Sequence, residues 1–293
     1  MKGQRALLTG AHGFSGRHLA AYLQTQAIET VALSARGARL TDVAWLREQL
    51  LATAPHYIFH LAGVATAASI QEQFQVNTLY AAALLEAAVA AGLTSCPFLL
   101  VGTAAEYGRV QAEDLPLKEE APCSPYSVYG ISKLAQTHLG LMAAARGQAV
   151  VVARPFNILG PGMLPHLALA AFQQQLTEIK EQKRPPILKT GNLAATRDFI
   201  HVHDVVRLYW ALVQEPEACG QIFNLCTGVG TSLRAALEML VAANGLEVEI
   251  ESDQGRLKEV DVPFHFGSNA RLHSLLGDFT YKSVTKAIED LVG

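Results

Sequence analysis

Arg5-Ala6-Leu7-Leu8-Thr9-Gly10-Ala11-His12-Gly13-Phe14-Ser15-Gly16 runs a short apolar segment directly into three glycines. The residues that follow, Arg17 to Leu23, suit a helix. Strand, glycine-rich turn and helix in that order form the context that a dinucleotide-binding turn requires. Glycine lets the chain turn tightly and approach a pyrophosphate. The helix start offers that anion unpaired N–H groups and the positive end of a dipole. An ordinary strand–helix turn would explain the glycines alone, so the rest of the chain has to decide.

Working outward, short β-rich runs alternate with alanine-rich stretches. Strands are expected at Arg5–Leu8, Thr30–Leu33, Tyr57–Leu61, Phe98–Val101 and Ala149–Ala153. Helices are expected at Gly16–Gln24, Val43–Thr53, Ile70–Ala91 and Pro125–Arg146. This alternation predicts an α/β fold, a doubly wound parallel Rossmann sheet. The strands are near-continuous apolar runs, as burial on both faces demands. After Arg154 the rhythm changes, with Gly160-Pro161-Gly162 and Pro185-Pro186 as punctuation. Helices are expected at Ala168–Lys180, Val205–Val213, Ser232–Asn244 and Val284–Val292, and strands at Ile222–Leu225 and Val248–Ile250. The expected division is a nucleotide-binding domain over 1–160, with 196–226 returning to it. Residues 161–195 and 227–293 would form a smaller C-terminal α/β cap for the substrate.

The chain has 293 residues, half of them hydrophobic, enough for one large domain or two unequal ones. Lys and Arg number 23 against 26 Asp and Glu, so bulk charge points to no nucleic-acid or membrane partner. No signal-peptide core and no bilayer-spanning run is read in it. Cys96, Cys123, Cys219 and Cys226 form no Cys-x-x-Cys pair and no zinc spacing. Reduced thiols and a cytoplasmic location are expected.

Tyr129 and Lys133 stand four residues apart in Pro125-Tyr126-Ser127-Val128-Tyr129-Gly130-Ile131-Ser132-Lys133. On a helix that spacing puts phenol and ammonium on one face. A phenol's ordinary pKa of about 10 is too high for proton transfer at neutral pH. A fixed cation nearby favours the phenolate and is expected to lower that value. Tyr129 could then exchange a proton beside a carbonyl. An incidental exposed Tyr–Lys pair is the plain alternative, and the upstream nucleotide turn argues against it. Thr103, in Leu99-Leu100-Val101-Gly102-Thr103, stands just beyond a strand's C-terminal end, where open α/β sheets bind ligands. Its hydroxyl could meet a substrate oxygen.

Together, TGxxGFxG, HLAG at His60–Gly63, Asn77 in QVNT, Thr103, the Tyr129/Lys133 pair and RPFN at Arg154–Asn157 resemble the extended short-chain dehydrogenases/reductases. That family comprises nucleotide-sugar epimerases, dehydratases and reductases, and the resemblance covers nearly the whole chain. RPFNILGPG at 154–162, GNLAATRDF at 191–199 and GSN at 267–269 are similar to its GDP-4-keto-6-deoxy-D-mannose reductases. GDP-mannose 4,6-dehydratases share much of that pattern. The resemblance implies Tyr129 as general acid, Lys133 as its electrostatic partner and a ligand of the nicotinamide ribose, and Thr103 as donor to the substrate oxygen. It implies a cofactor site of Gly10, Gly13, Phe14, Gly16, Leu61, Ala62, Gly63 and Phe156, together with Tyr129 and Lys133. It implies that Asn157, Arg197 and Lys258 hold a nucleotide-diphosphate sugar, for which arginine's planar fork is suited. Lys258 opens Lys258-Glu259-Val260-Asp261-Val262-Pro263, where the family often has Arg-Pro-Ser-Glu-Val-Pro. A homodimer built on the alanine-rich helix 78–91 is implied as well, with simple burial of that helix as the equal alternative.

Dehydratases of the family place a carboxylate one or two residues after the Ser/Thr. Ala104 and Ala105 stand there, and Glu106, one step on, is expected to point elsewhere. That favours keto reduction or C4 epimerisation over dehydration. An acid roughly 20 residues after the glycine turn would bind an NAD ribose. The second strand ends instead in Ser34-Ala35-Arg36, with Arg39 close by. A guanidinium there pairs with a 2′-phosphate, so NADP(H) is expected. The function read from these features is NADPH-dependent reduction of the 4-keto group of a nucleotide-linked 4-keto-6-deoxy-hexose, with GDP as the implied nucleotide. A nucleotide-sugar C4 epimerase is the alternative enzyme. A non-catalytic NADP-sensing regulator is the alternative from another class, and it would not need the Thr-Tyr-Lys trio.

His201-Val202-His203-Asp204 looks like a metal cluster, yet no further ligands stand at metal spacing. No metal is expected, and Asp204 is read as the cap of the next helix. His265 and His273 read as lone surface residues.

Overall fold

In the computed structural model, apolar runs far apart in the chain lie side by side. The structure describes residues 3–165, 167–256 and 262–293. β1 (Arg5–Thr9) leads to α1 (Phe14–Thr25), β2 (Glu29–Leu33), α2 (Val43–Thr53) and β3 (Tyr57–His60). Then come α3 (Ile70–Phe74), α4 (Tyr80–Ala90), β4 (Phe98–Val101), α5 (Val128–Ala145) and β5 (Val150–Pro155). The second half runs β6 (Asn157–Leu159), α6 (Ala168–Lys180), β7 (Ile187–Thr190), β8 (Thr196–His201), α7 (Val202–Leu212) and β9 (Ile222–Leu225). It ends with β10 (Gly230–Ser232), α8 (Leu233–Asn244), β11 (Glu249–Ser252), β12 (Phe264–His265), α9 (Ala270–Leu276) and α10 (Val284–Val292).

Six strands form a parallel sheet in the order β2-β1-β3-β4-β5-β9, the doubly wound α/β arrangement that the alternation predicts. Successive strand residues face opposite sides. Leu7, Ile58, Phe98, Leu100 and Val152 therefore meet Leu46 and Leu50 of α2 and Leu84 and Leu85 of α4. Their neighbours Leu8, Phe59, Leu99 and Val151 meet Leu19 and Leu23 of α1 and Val205 and Tyr209 of α7 on the other face. Each such leucine contributes about 1.5–3 kcal/mol by leaving water. The chain leaves β1 toward β2 and returns to β3 on its other side. That reversal opens a crevice at the C-terminal ends of β1 and β3.

Smaller sheets carry the second half. β8 pairs with β6, β10 and β12, and β7 pairs with β11. Leu159, Leu169, Phe172, Leu176, Phe199, Leu237 and Ile288 form a separate core around them.

Three differences from expectation have physical causes. The helix over 70–91 is interrupted by a π-helical turn, Gln75–Leu79. There Asn77 turns inward. It accepts from Val64 N (2.8 Å) and donates to Val64 O and Ser132 Oγ (2.9 Å each). Buried amides need such partners. β6, β7, β8, β10 and β12 go beyond the expected strands. All but the six-residue β8 are short, and most of their support is tertiary pairing rather than apolar alternation. α7 starts earlier than expected because His201 caps it, Nδ1 accepting the N–H of His203 (2.9 Å). Asp204 is not the cap. It is buried inside the first turn and accepts from Lys282 N (2.7 Å) and Arg207 Nη1 (3.3 Å).

Candidate active site

The glycine turn sits against the loop that follows β3. Gly10 has φ +68°, and a Cβ there would lie 2.8 Å from Ala62 N and Leu61 C. Only glycine allows that approach. Thr9 ties the two loops: its hydroxyl accepts from Ala62 N (3.2 Å) and contacts His60 Nδ1 at 2.9 Å. Burial, with Lys133 nearby, pushes His60 down to about 3, and the ring is neutral. Gly13 caps α1 through its backbone alone, with no side-chain hydrogen bond at the cap. The first N–H groups of α1, from Phe14 onward, face the crevice between the loops, as an anion site needs. A Cβ on Gly63 would lie 3.7 Å from Lys133 Nζ, so this loop also borders the catalytic lysine position. Arg36 is exposed just after β2, and no carboxylate is paired with it among the described residues. Arg39 lies with its guanidinium 5.1 Å from the Trp45 ring centroid. Glycine cradle, open helix start and unopposed guanidinium together fit a dinucleotide carrying a 2′-phosphate.

Thr103, Tyr129 and Lys133 meet beyond the C-terminal end of β4. Thr103 caps a short 3-10 turn, Ala104–Glu106, and its hydroxyl accepts from Ala105 N (3.2 Å). Ser127 caps α5 through the N–H of Gly130 (3.0 Å), which aims Tyr129 and Lys133 at that turn. Tyr129 behaves differently from the expectation. Burial pushes its phenol above the ordinary range, a hydrogen bond from Thr103 pulls it down, and the Glu106 charge pushes it up. Burial outweighs the neighbouring Lys133, whose Nζ donates to Gln136 Oε1 at 2.6 Å, and Gln136 in turn donates to Val101 O (3.1 Å). Burial pushes Lys133 down to about 8.

Asn157 and Arg197, expected to hold the substrate, lie on the smaller sheet, in β6 and β8. Asn157 donates to Asp198 O (3.0 Å), and Arg197 Nη1 donates to Thr196 O and Val262 O (2.8 Å each). Lys258 lies outside the described residues. Phe156 is buried, its ring 6.3 Å from Tyr107 and 5.4 Å from His265. Phe156, expected at the cofactor, packs in a small core with Ala104, Tyr107, Leu117 and Cys226. His265 is not a lone surface residue. It pairs in register with Arg197, packs on Phe156 and reaches the Ala104 backbone. Burial and the Arg197 charge push it down to about 4. His273 stacks on Tyr281, ring centroids 6.0 Å apart. His201 and Asp204 serve the fold, with His201 Nε2 lying 3.1 Å from Asp290 Oδ2. The described residues contain no group of three or more His, Cys, Asp or Glu placed to hold a metal.

Glu106 points away from the cleft, yet its setting was not foreseen. It is fully buried and paired with Arg154 Nε at 2.8 Å. Thr-x-x-Glu at 103–106 is a capping-box pattern, so the sequence did carry a signal for it. His265 had none, because a two-residue strand leaves no periodicity.

Residues 6–226 match the NAD dependent epimerase/dehydratase family. The chain is similar to a GDP-6-deoxy-D-mannose reductase of Pseudomonas aeruginosa, 33% identical over 97% of this chain and 96% of that one. It is also similar to a GDP-6-deoxy-D-talose 4-dehydrogenase of Aggregatibacter actinomycetemcomitans, 27% identical over 98% and 96%. Among solved structures, RMD from Pseudomonas aeruginosa complexed with NADPH superposes with a TM-score of 0.89. It is 30% identical and covers 99% of this chain and 97% of that one.

Proposed function

The chain belongs to the NAD dependent epimerase/dehydratase family, and from that premise we propose that it is an NADPH-dependent reductase of nucleotide-linked 4-keto-6-deoxy sugars. The substrate is GDP-4-keto-6-deoxy-mannose and the product a GDP-6-deoxy-hexose. The observation that carries this reading is that Thr103, Tyr129 and Lys133 come together beyond the end of β4, with alanine at both positions where elimination would need an acid. The Pseudomonas reductase and the NADPH complex support it.

Gly10, Gly13, Gly16 and the start of α1 would hold the pyrophosphate, Arg36 the 2′-phosphate, and Leu61 to Gly63 the near side of the cofactor. When bound, NADPH supplies the hydride. The chain's own part is to orient the carbonyl and deliver the proton. Thr103 and Tyr129 hold the ketone oxygen between two hydroxyls. Tyr129 donates its proton to that oxygen as negative charge develops, and Thr103 stabilises the phenolate that remains. Lys133, positively charged below about pH 8, stabilises the same charge. Asn157, Arg197 and Lys258 hold the sugar nucleotide.

Residues 1–160 with 196–226 serve the cofactor, and 161–195 with 227–293 serve the substrate. The protein works in the cytoplasm, as its four free cysteines suggest. It pairs as a homodimer through α4 and α5, where Leu79 (50%), Val89 (51%), Ile131 (45%) and Met142 (43%) leave apolar surface exposed. The test is NADPH consumption with GDP-4-keto-6-deoxy-mannose and identification of the product. Interconversion of C4 epimers without net consumption would point to the epimerase instead. NADPH binding without any turnover would point to a regulator.

A further inference from the structure

We propose that Glu106 is a positioning residue for this reduction: its buried carboxylate locks the Thr103 turn to α5 and presents its negative charge to Lys133. The proposal rests on the reductase reading above.

The geometry starts in the sequence. Tyr129, Lys133 and Thr137 follow at i, i+4 and i+8, so they form one stripe along α5. Thr137 Oγ1 donates to Glu106 Oε2 at 2.9 Å, directly below the catalytic pair. The N–H of Thr103 donates to Glu106 Oε1 at 2.9 Å. Arg154 Nε on β5 donates to Glu106 Oε2 at 2.8 Å. One carboxylate therefore joins the turn after β4, the catalytic helix and β5. Gly102 makes room for it, since a Cβ there would collide with Glu106 Oε1. Burial raises the Glu106 carboxyl above its ordinary range. Arg154, the Thr103 N–H and Thr137 oppose that shift and favour the ionised form, and all three donors converge on the two carboxyl oxygens.

Two consequences follow. The Thr103 hydroxyl meets Tyr129 only while the turn keeps its angle to α5, and Glu106 sets that angle. Second, the charge acts in a dry interior where it is weakly screened. Burial drives the Lys133 proton off, and Glu106 opposes that. Glu106 also disfavours ionisation of Tyr129. Reduction must begin with Lys133 charged and Tyr129 protonated, and the carboxylate supports both states.

The other titratable groups around this cluster are His60 at the end of β3, Arg154 on β5, Tyr107 and Cys123 near the turn, Tyr209 on α7, held protonated by burial, and His265 on β12, held neutral near 4. His60 is held neutral by burial, near 3. Burial pushes Tyr107 up to about 12 and also raises Cys123, so both stay protonated. Arg154 stays charged throughout. At neutral to mildly alkaline pH the titrating group that Glu106 acts on is therefore Lys133, and Tyr129 follows above the ordinary tyrosine range.

The experiment compares Glu106→Gln, the double variant Glu106→Gln/Arg154→Met, and Glu106→Asp with the wild type. The double variant leaves no unpaired buried charge, so it retains the fold if Glu106→Gln alone does not. Without the negative charge both Lys133 and Tyr129 lose their protons more easily. The alkaline limb of kcat should therefore move to lower pH by on the order of one unit in either neutral variant. Ultraviolet titration of tyrosinate, each protein read against the same protein with Tyr129→Phe, should move the same way without cofactor or substrate. Glu106→Asp keeps the charge and should keep the limb, while kcat falls because the shorter arm releases the Thr103 turn. A limb and a tyrosinate titration that stay in place in a folded neutral variant overturn the proposal. So does Glu106→Asp with wild-type kcat, which decides the matter should neither neutral variant fold. Wild-type turnover in the same assay tests the reductase reading separately.

Discussion

Replacing Tyr129 by phenylalanine removes one oxygen and keeps the ring that packs at the start of α5. The phenol lies beside the Thr103 hydroxyl, so the folding cost is at most that of one hydrogen bond, about 1 kcal/mol. The chemical cost is larger, because no other acid stands by the ketone oxygen: Ala104 and Ala105 carry none, and Glu106 is turned into the core. General acid catalysis is worth about 10²- to 10⁴-fold, or roughly 2.7–5.4 kcal/mol of barrier. The rate should fall by that amount while NADPH affinity changes little. Thr103→Val should cost less, about five- to tenfold, because it removes one hydrogen bond and leaves the acid in place. Its turn should survive, since Glu106 still accepts the residue-103 N–H at 2.9 Å. The assay is single-turnover oxidation of bound NADPH by a GDP-4-keto-6-deoxy sugar across pH. Lys133 has a folded pKa of about 8, below its ordinary value, and its charged form is the active one. Wild-type rate should thus hold below that pH and fall as pH rises through it. Near-wild-type turnover in Tyr129→Phe, or a rate that climbs through pH 8, would refute the assignment of acid and charge partner.

Arg36, exposed and unopposed after β2, should give NADPH preference over NADH, and Arg36→Ala should erase most of it; steady-state kinetics with both cofactors reads this, and unchanged discrimination counts against the arginine. Incubation with GDP-mannose and NADP⁺ should yield no 4-keto-6-deoxy product, because positions 104 and 105 are alanine; its appearance at a catalytic rate would reassign the reaction. Val89→Arg with Met142→Arg, at positions 51% and 43% exposed, should convert the dimer to monomer in sedimentation; an intact dimer would move the interface elsewhere.

The parts of this molecule that were legible in its sequence are those where one local signal suffices. Leu7 and Leu8 alternate between two cores, and an apolar run bounded by glycine announces such a strand without help from distant residues. Phe98–Val101 and Ala168–Lys180 fall where apolar pattern and punctuation put them. β12 is a different case. Its two residues are extended because β8 pairs with them, and that pairing brings His265 beside Arg197. No window of sequence around His265 contains the information, so it read as a surface histidine.

Tyr129 shows the same limit within the site itself. Helical spacing correctly puts Lys133 on the phenol's face, and a through-space reading then lowers the phenol's pKa. Spacing does not report burial, nor that Gln136, one turn past the tyrosine's neighbours, holds the ammonium at 2.6 Å. Once both groups are dry, desolvation outweighs the neighbouring cation. Proton states in this cleft are therefore set by the shell beneath the trio. Gln136 holds the lysine, and Glu106 holds the threonine turn and supplies the countercharge. A Thr-Tyr-Lys pattern names the groups proposed to meet the ketone. What tunes them comes from residues whose role emerges only when β4, α5 and β5 are packed together.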